Sequence, residues 1–323
     1  MGSADGAPLG PDEGRQAALG RDGVGMPHLV RGGRVPGTPY ELVERWTDAA
    51  GGSEMWRAKS SESGAECLLE ILLPGHPHRE SVARRLARPA VRAQTGLRVE
   101  RLADVLDVGV TDDDCPYFAL EALRGQTLRA ELDARGPLPP ARAVAVAIAA
   151  LEGLEAAHGA GAVHRDLCPE RIVLLDDGGV KLTGFGKILD VGGEVALSPV
   201  PDRGRRGSPY AAPEVSAGIA DARSDLFSIG VVLYEALSGK RPFARVPSSP
   251  SAPVASPSAA AGKELPAELD EAVLGAMAVD PAKRPATAGA LLAELARVHA
   301  RLTGIAAPPR PPAARPLAEG DTM

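Results

Sequence analysis

Cysteine is scarce in this chain, long apolar runs are absent, and basic residues do not outnumber acidic ones. The three cysteines, Cys67, Cys115 and Cys168, have no metal-ligand spacing and no disulfide framework, which fits a reducing compartment. No stretch approaches the ~18 apolar residues of a membrane span. The first residues lack the apolar core of a secretory leader. The expectation is a soluble, cytoplasmic protein. With 36 Lys+Arg against 42 Asp+Glu, the formal net charge of -6 argues against a general nucleic-acid binder.

What is present is an ordinary globular composition, 44% hydrophobic and 24% charged, over 323 residues, enough for a sizeable core and about two domains. Glycine and proline are unevenly placed. Residues 1–37 are rich in Gly, Asp and Pro, residues 246–262 are almost entirely Ser, Pro, Ala and Val, and residues 303–323 are Pro-rich. Such stretches bury too little apolar area to offset their ordering entropy and are expected to be disordered or extended.

The rest divides by period. From Tyr40 to Glu121 the pattern is short strands, with Glu66–Leu72 and Tyr117–Leu120 as candidates, around a helix at Arg79–Gln94 that Pro89 should end or kink. Beyond Glu121 the pattern turns helical. Ala141–His158 sets Val144, Ile148, Leu151 and Leu154 near one face, and Ser224–Leu237, Ala267–Ala278 and Thr287–Val298 are further helices. Between them, Ile172–Leu175 and Val180–Leu182 flank Asp176-Asp177-Gly178-Gly179 as a hairpin. This predicts an α+β chain: a small strand-rich lobe over residues 38–122, a larger helical lobe over 123–302, and a cleft between them able to carry function.

Four motifs stand in order: Val163-His164-Arg165-Asp166-Leu167-Cys168-Pro169-Glu170-Arg171-Ile172, Tyr210-Ala211-Ala212-Pro213-Glu214, Asp221-Ala222-Arg223-Ser224-Asp225-Leu226-Phe227-Ser228-Ile229-Gly230, and Asp280-Pro281-Ala282-Lys283-Arg284-Pro285. With these the chain resembles the bacterial, eukaryotic-type Ser/Thr protein kinases over roughly residues 38–302. The resemblance implies the bilobal kinase fold. It implies a buried Glu214–Arg284 pair, and Asp225 accepting backbone hydrogen bonds near His164.

The same resemblance shows the chemistry dismantled. Phosphoryl transfer depends on positioned charges, and most of those positions are altered. The glycine-rich loop reads Asp48-Ala49-Ala50-Gly51-Gly52-Ser53-Glu54-Met55, with no motif glycine in place and with Asp48 and Glu54 adding negative charge. The family's Val-Ala-Ile-Lys reads Cys67-Leu68-Leu69-Glu70, so the phosphate-pairing cation has become an anion. Its helix partner falls on Pro89 or Ala90, among Arg84, Arg85, Arg88 and Arg92. Either Glu70 pairs with Arg88 or Arg92, or the arginines form a solvated face. The metal-binding Asp of Asp-Phe-Gly is Gly184, the metal-binding Asn is Arg171, and the catalytic-loop Lys is Cys168. Glycine offers Mg²⁺ no ligand and a guanidinium repels it. Asp166 alone remains of the catalytic set, and a salt bridge to Arg171 is open to it.

For the adenine site, the resemblance places Met55, Leu68, Leu120 and Leu174 along an apolar slot, with Glu121-Ala122-Leu123 as the hinge. These residues are equally compatible with ordinary core. Arg171 or an inward-turned Arg57 could meet a phosphate without metal. The implied reading is a pseudokinase with no required cofactor, weak metal-independent ATP binding at most, and a protein partner such as an active kinase or its substrate. The alternative is a kinase-fold transferase using Asp166 differently. The segment between Gly186 and Pro213, with Ser198, Ser208, Arg203, Arg205 and Arg206, is a candidate docking or acceptor loop. The helix expected after Gly239-Lys240-Arg241-Pro242-Phe243 is shortened or missing.

Overall fold

In the computed structural model, which describes residues 29–50, 53–74, 79–86, 99–184, 208–217, 220–244 and 254–305, the smaller lobe is a five-stranded antiparallel sheet. Its strands are β1 (Tyr40–Ala50), β2 (Ser53–Ser60), β3 (Glu66–Leu72), β4 (Val105–Val110) and β5 (Pro116–Glu121), in the spatial order β1-β2-β3-β5-β4. Successive side chains of a strand face opposite sides. In β3, Cys67, Leu69 and Ile71 therefore join an outer core with Trp56 and Tyr117. Leu68 and Leu72 join an inner one with Met55, Phe118 and Leu120. Glu70 lies opposite Met55 and Phe118 in register, which puts it on the inner face.

The outer face is covered by a segment that composition had assigned to disorder. Leu29 and Val35 are buried in the outer core, and residues 29–37 pair with β1 through Val35 N–H to Tyr40 O (2.9 Å) and Leu42 N–H to Gly33 O (2.9 Å). The expected 1–37 disordered segment is corrected to this extent: two apolar residues suffice to fasten its end to an exposed sheet face.

Helix α1 (Arg79–Leu86) follows β3 and buries Val82 in the inner core. The Arg79 guanidinium ties it to the β4–β5 turn by donating to the carbonyls of Asp113 (3.0 Å) and Asp114 (3.1 Å). The expected continuation to Gln94, with Pro89, Ala90, Arg88 and Arg92, lies outside the described residues, as do the side chains of Arg84 and Arg85.

The larger lobe contains α2 (Leu128–Arg135), α3 (Pro140–Gly159), α4 (Ala222–Ser238), α5 (Pro257–Ala261), α6 (Ala267–Ala276) and α7 (Ala288–Thr303), with a three-stranded sheet of β6 (Gly125–Thr127), β7 (Ile172–Leu175) and β8 (Val180–Leu182). Helix α4 is apolar nearly all round and is buried along almost its whole length, as a central helix must be. Asp221 and Ser224 form a capping box at its start, and Gly239 ends it in the left-handed region. Gly230 lets α6 approach closely. A Cβ there would stand 2.9 Å from Met277 Cγ and 3.0 Å from Ala276 Cβ.

A second correction concerns 246–262, expected to be an unstructured loop. Residues 246–253 lie outside the described set, but α5 forms within the remainder. Ser256 Oγ caps it by accepting from Ala259 N–H (3.2 Å), Pro257 starts it and is buried, and Gly262 closes it with φ +63°. Ser258 N–H donates to Asp270 (3.0 Å), and the Lys240 ammonium donates to Ala260 O (2.9 Å). Among the described residues after Phe243, the first helix is the five-residue α5. Among the described residues, no helix is long and apolar enough to cross a membrane.

Candidate functional site: the cleft between the lobes

The floor of the cleft is held from below. Asp225, fully buried in the first turn of α4, accepts from His164 N–H (2.7 Å), Arg165 N–H (2.7 Å) and His158 Nε2 (2.8 Å). Two of these bonds pin a strained point, since Arg165 has φ +64°. The His164 ring extends the scaffold. Its Nε2 lies 2.9 Å from Thr183 O, an acceptor, so Nε2 carries the hydrogen, and Nδ1 accepts from Asp166 N–H (3.3 Å).

A second anchor joins the segment after Ser208 to the last helices. Arg284, buried at the end of a 3-10 turn, makes a bidentate pair with Glu214 at 2.6 and 2.9 Å. It also donates to the carbonyls of Ala278 (2.7 Å), Arg223 (2.9 Å) and Val279 (3.2 Å), and lies 5.0 Å from the Phe227 ring centroid. Burial works to raise the Glu214 pKa. The bonds from Arg284, the backbone and Ser224 outweigh it and hold the carboxyl below the usual range.

Above this floor the chemistry-bearing positions converge on Arg171. Its backbone is fixed at both ends, N–H to Cys168 O (2.9 Å) and O from Thr183 N–H (2.9 Å). Its guanidinium reaches up to the inner face of β3 and lies 3.1 Å from the Glu70 carboxylate, the two side chains being only 7% and 1% exposed. Asp166 stands 3.9 Å from the same guanidinium. Burial acts against the Arg171 charge, but Glu70, together with Cys168 and Glu170, outweighs it and raises the guanidinium pKa. Sequence reasoning had offered Arg88 or Arg92 as the partner of Glu70. The structure brings Arg171 to it from the other lobe, and Arg88 and Arg92 lie outside the described residues.

Gly184 is part of the same arrangement. Its φ is +93°, and a Cβ built on it would stand 3.2 Å from Arg171 Cδ and 3.3 Å from Arg171 Nε. The space an aspartate would need at this place is taken by the arginine stem. Cys168 is buried, and burial first, then the nearby Glu170 carboxylate, pushes its thiol up to about 12. It is not a ready nucleophile.

The apolar residues expected along the cleft do not all fall in one cluster. Met55, Leu68, Leu120 and Leu123 form one buried cluster with Val173. Leu174 instead joins the core of the larger lobe. Strand alternation explains the correction, because adjacent residues of β7 cannot share a face. Glu121 at the hinge accepts from Asp104 N–H (2.9 Å) and pairs with Lys181 of β8.

On the β1–β2 hairpin, Arg57 lies opposite Leu68 on the inner face and stacks on Trp46, 4.2 Å from its ring centroid. A further expectation is corrected beside it. Glu54 lies opposite Ile71 on the outer face and accepts from Trp56 Nε1 (2.9 Å) and Arg45 (3.1 Å), so its charge is engaged away from the cleft. Arg45 also lies 5.0 Å from the Trp56 ring centroid. Both tryptophans of the chain thus sit in this hairpin, one under an arginine on each face. The signal was in the sequence, as Arg45-Trp46 and Trp56-Arg57 on antiparallel strands. Among the described residues, no group of three or more His, Cys, Asp or Glu side chains could hold a metal ion.

A strand-rich lobe, a helical lobe, and a catalytic-loop histidine and aspartate held from a central helix define a kinase-shaped protein. Residues 92–294 match the protein kinase domain family, and the chain belongs to it. It is 36% identical over 270 residues to serine/threonine-protein kinase PknL of Mycobacterium tuberculosis, covering 81% of this chain and 66% of that protein. It is 30% identical over 279 residues to the probable serine/threonine-protein kinase CPE1738 of Clostridium perfringens, covering 82% of this chain and 39% of that one. The chain therefore spans less than two thirds of either relative. The crystal structure of the M. tuberculosis PknI kinase domain superposes with a TM-score of 0.65 at 24% identity, covering 84% of this chain and 99% of that one, which establishes the shared fold.

Proposed function

We propose that this kinase-family domain does not transfer phosphate and works as a protein-binding or regulatory module. The single observation that carries the reading is the buried Glu70–Arg171 pair at 3.1 Å. It stands where the family resemblance calls for a phosphate-pairing lysine and a metal-binding asparagine. Mg²⁺ and a triphosphate do not fit these residues. The metal would meet a guanidinium and, at Gly184, no ligand. Arg171 is already engaged by Glu70, so a phosphate entering here would have to break a buried ion pair. Asp166 persists, but one carboxylate does not replace the missing cations.

No cofactor is required in this account, and any ATP binding is weak and metal-independent. The partner is a protein, either an active kinase or the substrate of one. Titration of a fluorescent ATP analogue with and without Mg²⁺ tests the cleft. The expected result is weak or no binding, unchanged by the metal. Tight binding that requires Mg²⁺ would overturn the reading.

A further inference from the structure

Kinase-shaped domains close their lobes around what they bind. This chain carries a link of its own across the same gap. We propose that Glu70 and Arg171 form a latch that holds β3 against the catalytic loop without any ligand, so that closure is built into the covalent chain. The inference rests on the proposed reading that Mg²⁺-nucleotide does not occupy the cleft, and adds to it a conformational consequence.

Both ends of the latch are rigid. Glu70 stands mid-strand between Met55 and Phe118 in register, and Arg171 is held by hydrogen bonds on both sides of its own peptide unit. Neither side chain has meaningful contact with water, so the attraction is little screened. Gly184 supplies the room for the arginine stem, which ties the loss of one side chain to the presence of another. Glu121 with Lys181 adds a second link at the hinge. On the cleft face above, Trp46 packs against the inner core beneath Arg57.

The test compares the full chain with Glu70→Gln, Arg171→Gln and the double variant. Each single change should lower Tm by roughly 5–10 °C, and the double variant should lose clearly less than the sum. Amide exchange should rise about tenfold or more in both 66–72 and 164–175 together, because one opening exposes both sides. Acrylamide should quench Trp46, on the cleft face, more efficiently in the variants, while Trp56 on the outer face is unaffected, and ATP should not reverse any of this. If a Gln variant fails to fold, Arg171→Lys, which keeps the charge, is read by exchange and should rise on both sides by a smaller factor. Additive Tm losses, or exchange confined to one segment, would overturn the latch. Phosphate transfer by the unaltered chain would overturn the functional reading while leaving the coupling result standing, so the two failures are distinguishable.

Discussion

Two sets of buried charges can be compared within this molecule. In the larger lobe, Asp225 and the Glu214–Arg284 pair stand where a kinase of this family would have them, and each is fully answered: Asp225 by three donors, Arg284 by a carboxylate and three carbonyls. In the cleft, Glu70, Cys168, Arg171 and Gly184 have all departed from the family pattern, yet Glu70 and Arg171 again answer each other. Both sets obey the same rule, that a buried charge needs a partner. They differ in what the partner is. In the lobe it is the fold's own backbone and side chains. In the cleft of an active kinase it would be metal and phosphate, and here it is another residue. On the proposed reading, architecture and chemistry are separable: the first survives where the second is rewired.

That comparison can be broken at several points. The largest effect is expected at Arg284, where replacement by Met strands Glu214 and frees three carbonyls. A loss of about 4–5 kcal/mol in chemical denaturation is predicted. Arg171→Met should cost less, about 3 kcal/mol, while Glu70→Met combined with Arg171→Met should return to within about 1 kcal/mol of the parent, since apolar groups of similar volume replace buried ion pairs well. If the double variant were as damaged as the single one, the cleft pair would not be an isolated exchange of charge for charge.

A smaller effect is expected with pH. Glu214 has its folded pKa held below the unfolded value of about 4.3, so its stabilisation is fully present above about pH 5 and is lost as the pH falls through the folded value. Unfolding midpoints measured from pH 7 to pH 3 should fall, and Glu214→Gln should make that slope shallower. An unchanged slope would remove Glu214 from the acid response. The smallest effect concerns the thiols. Burial raises Cys67 to about 11 and Cys168 to about 12, and raises Cys115 despite the nearby Arg79. At pH 8 a disulfide reagent should leave native protein nearly untouched and titrate three thiols only after unfolding. Fast labelling of Cys168 in native protein would show the cleft open.

Much of the fold was legible because period and caps act locally. The run Glu66–Leu72, the turn at Asp177-Gly178 and the helix read from Ser224 to Leu237 each announce themselves within a few residues. What escaped was of two kinds. Composition outweighed local signals at residues 29–37 and 254–262, although Leu29 and Val35 had an exposed sheet face to cover and Ser256-Pro257 is a helix start. Side-chain direction was also missed. Val173 rather than Leu174 joins the buried cluster with Met55, Leu68 and Leu120, and Glu54 faces outward, both of which follow from strand alternation and cross-strand register. Glu70 and Arg171 were each recognised as departures. Their meeting depends on how far the lobes close, which no local pattern encodes.

The central claim is that residues of this chain, not metal and phosphate, answer the charges of the cleft. The most direct measurement is transfer of labelled phosphate from ATP, with Mg²⁺ or Mn²⁺, to the chain itself and to a general acceptor protein, alongside Asp166→Asn. The account predicts background incorporation for both proteins. Incorporation at the rate of an ordinary kinase, abolished by Asp166→Asn, would contradict it.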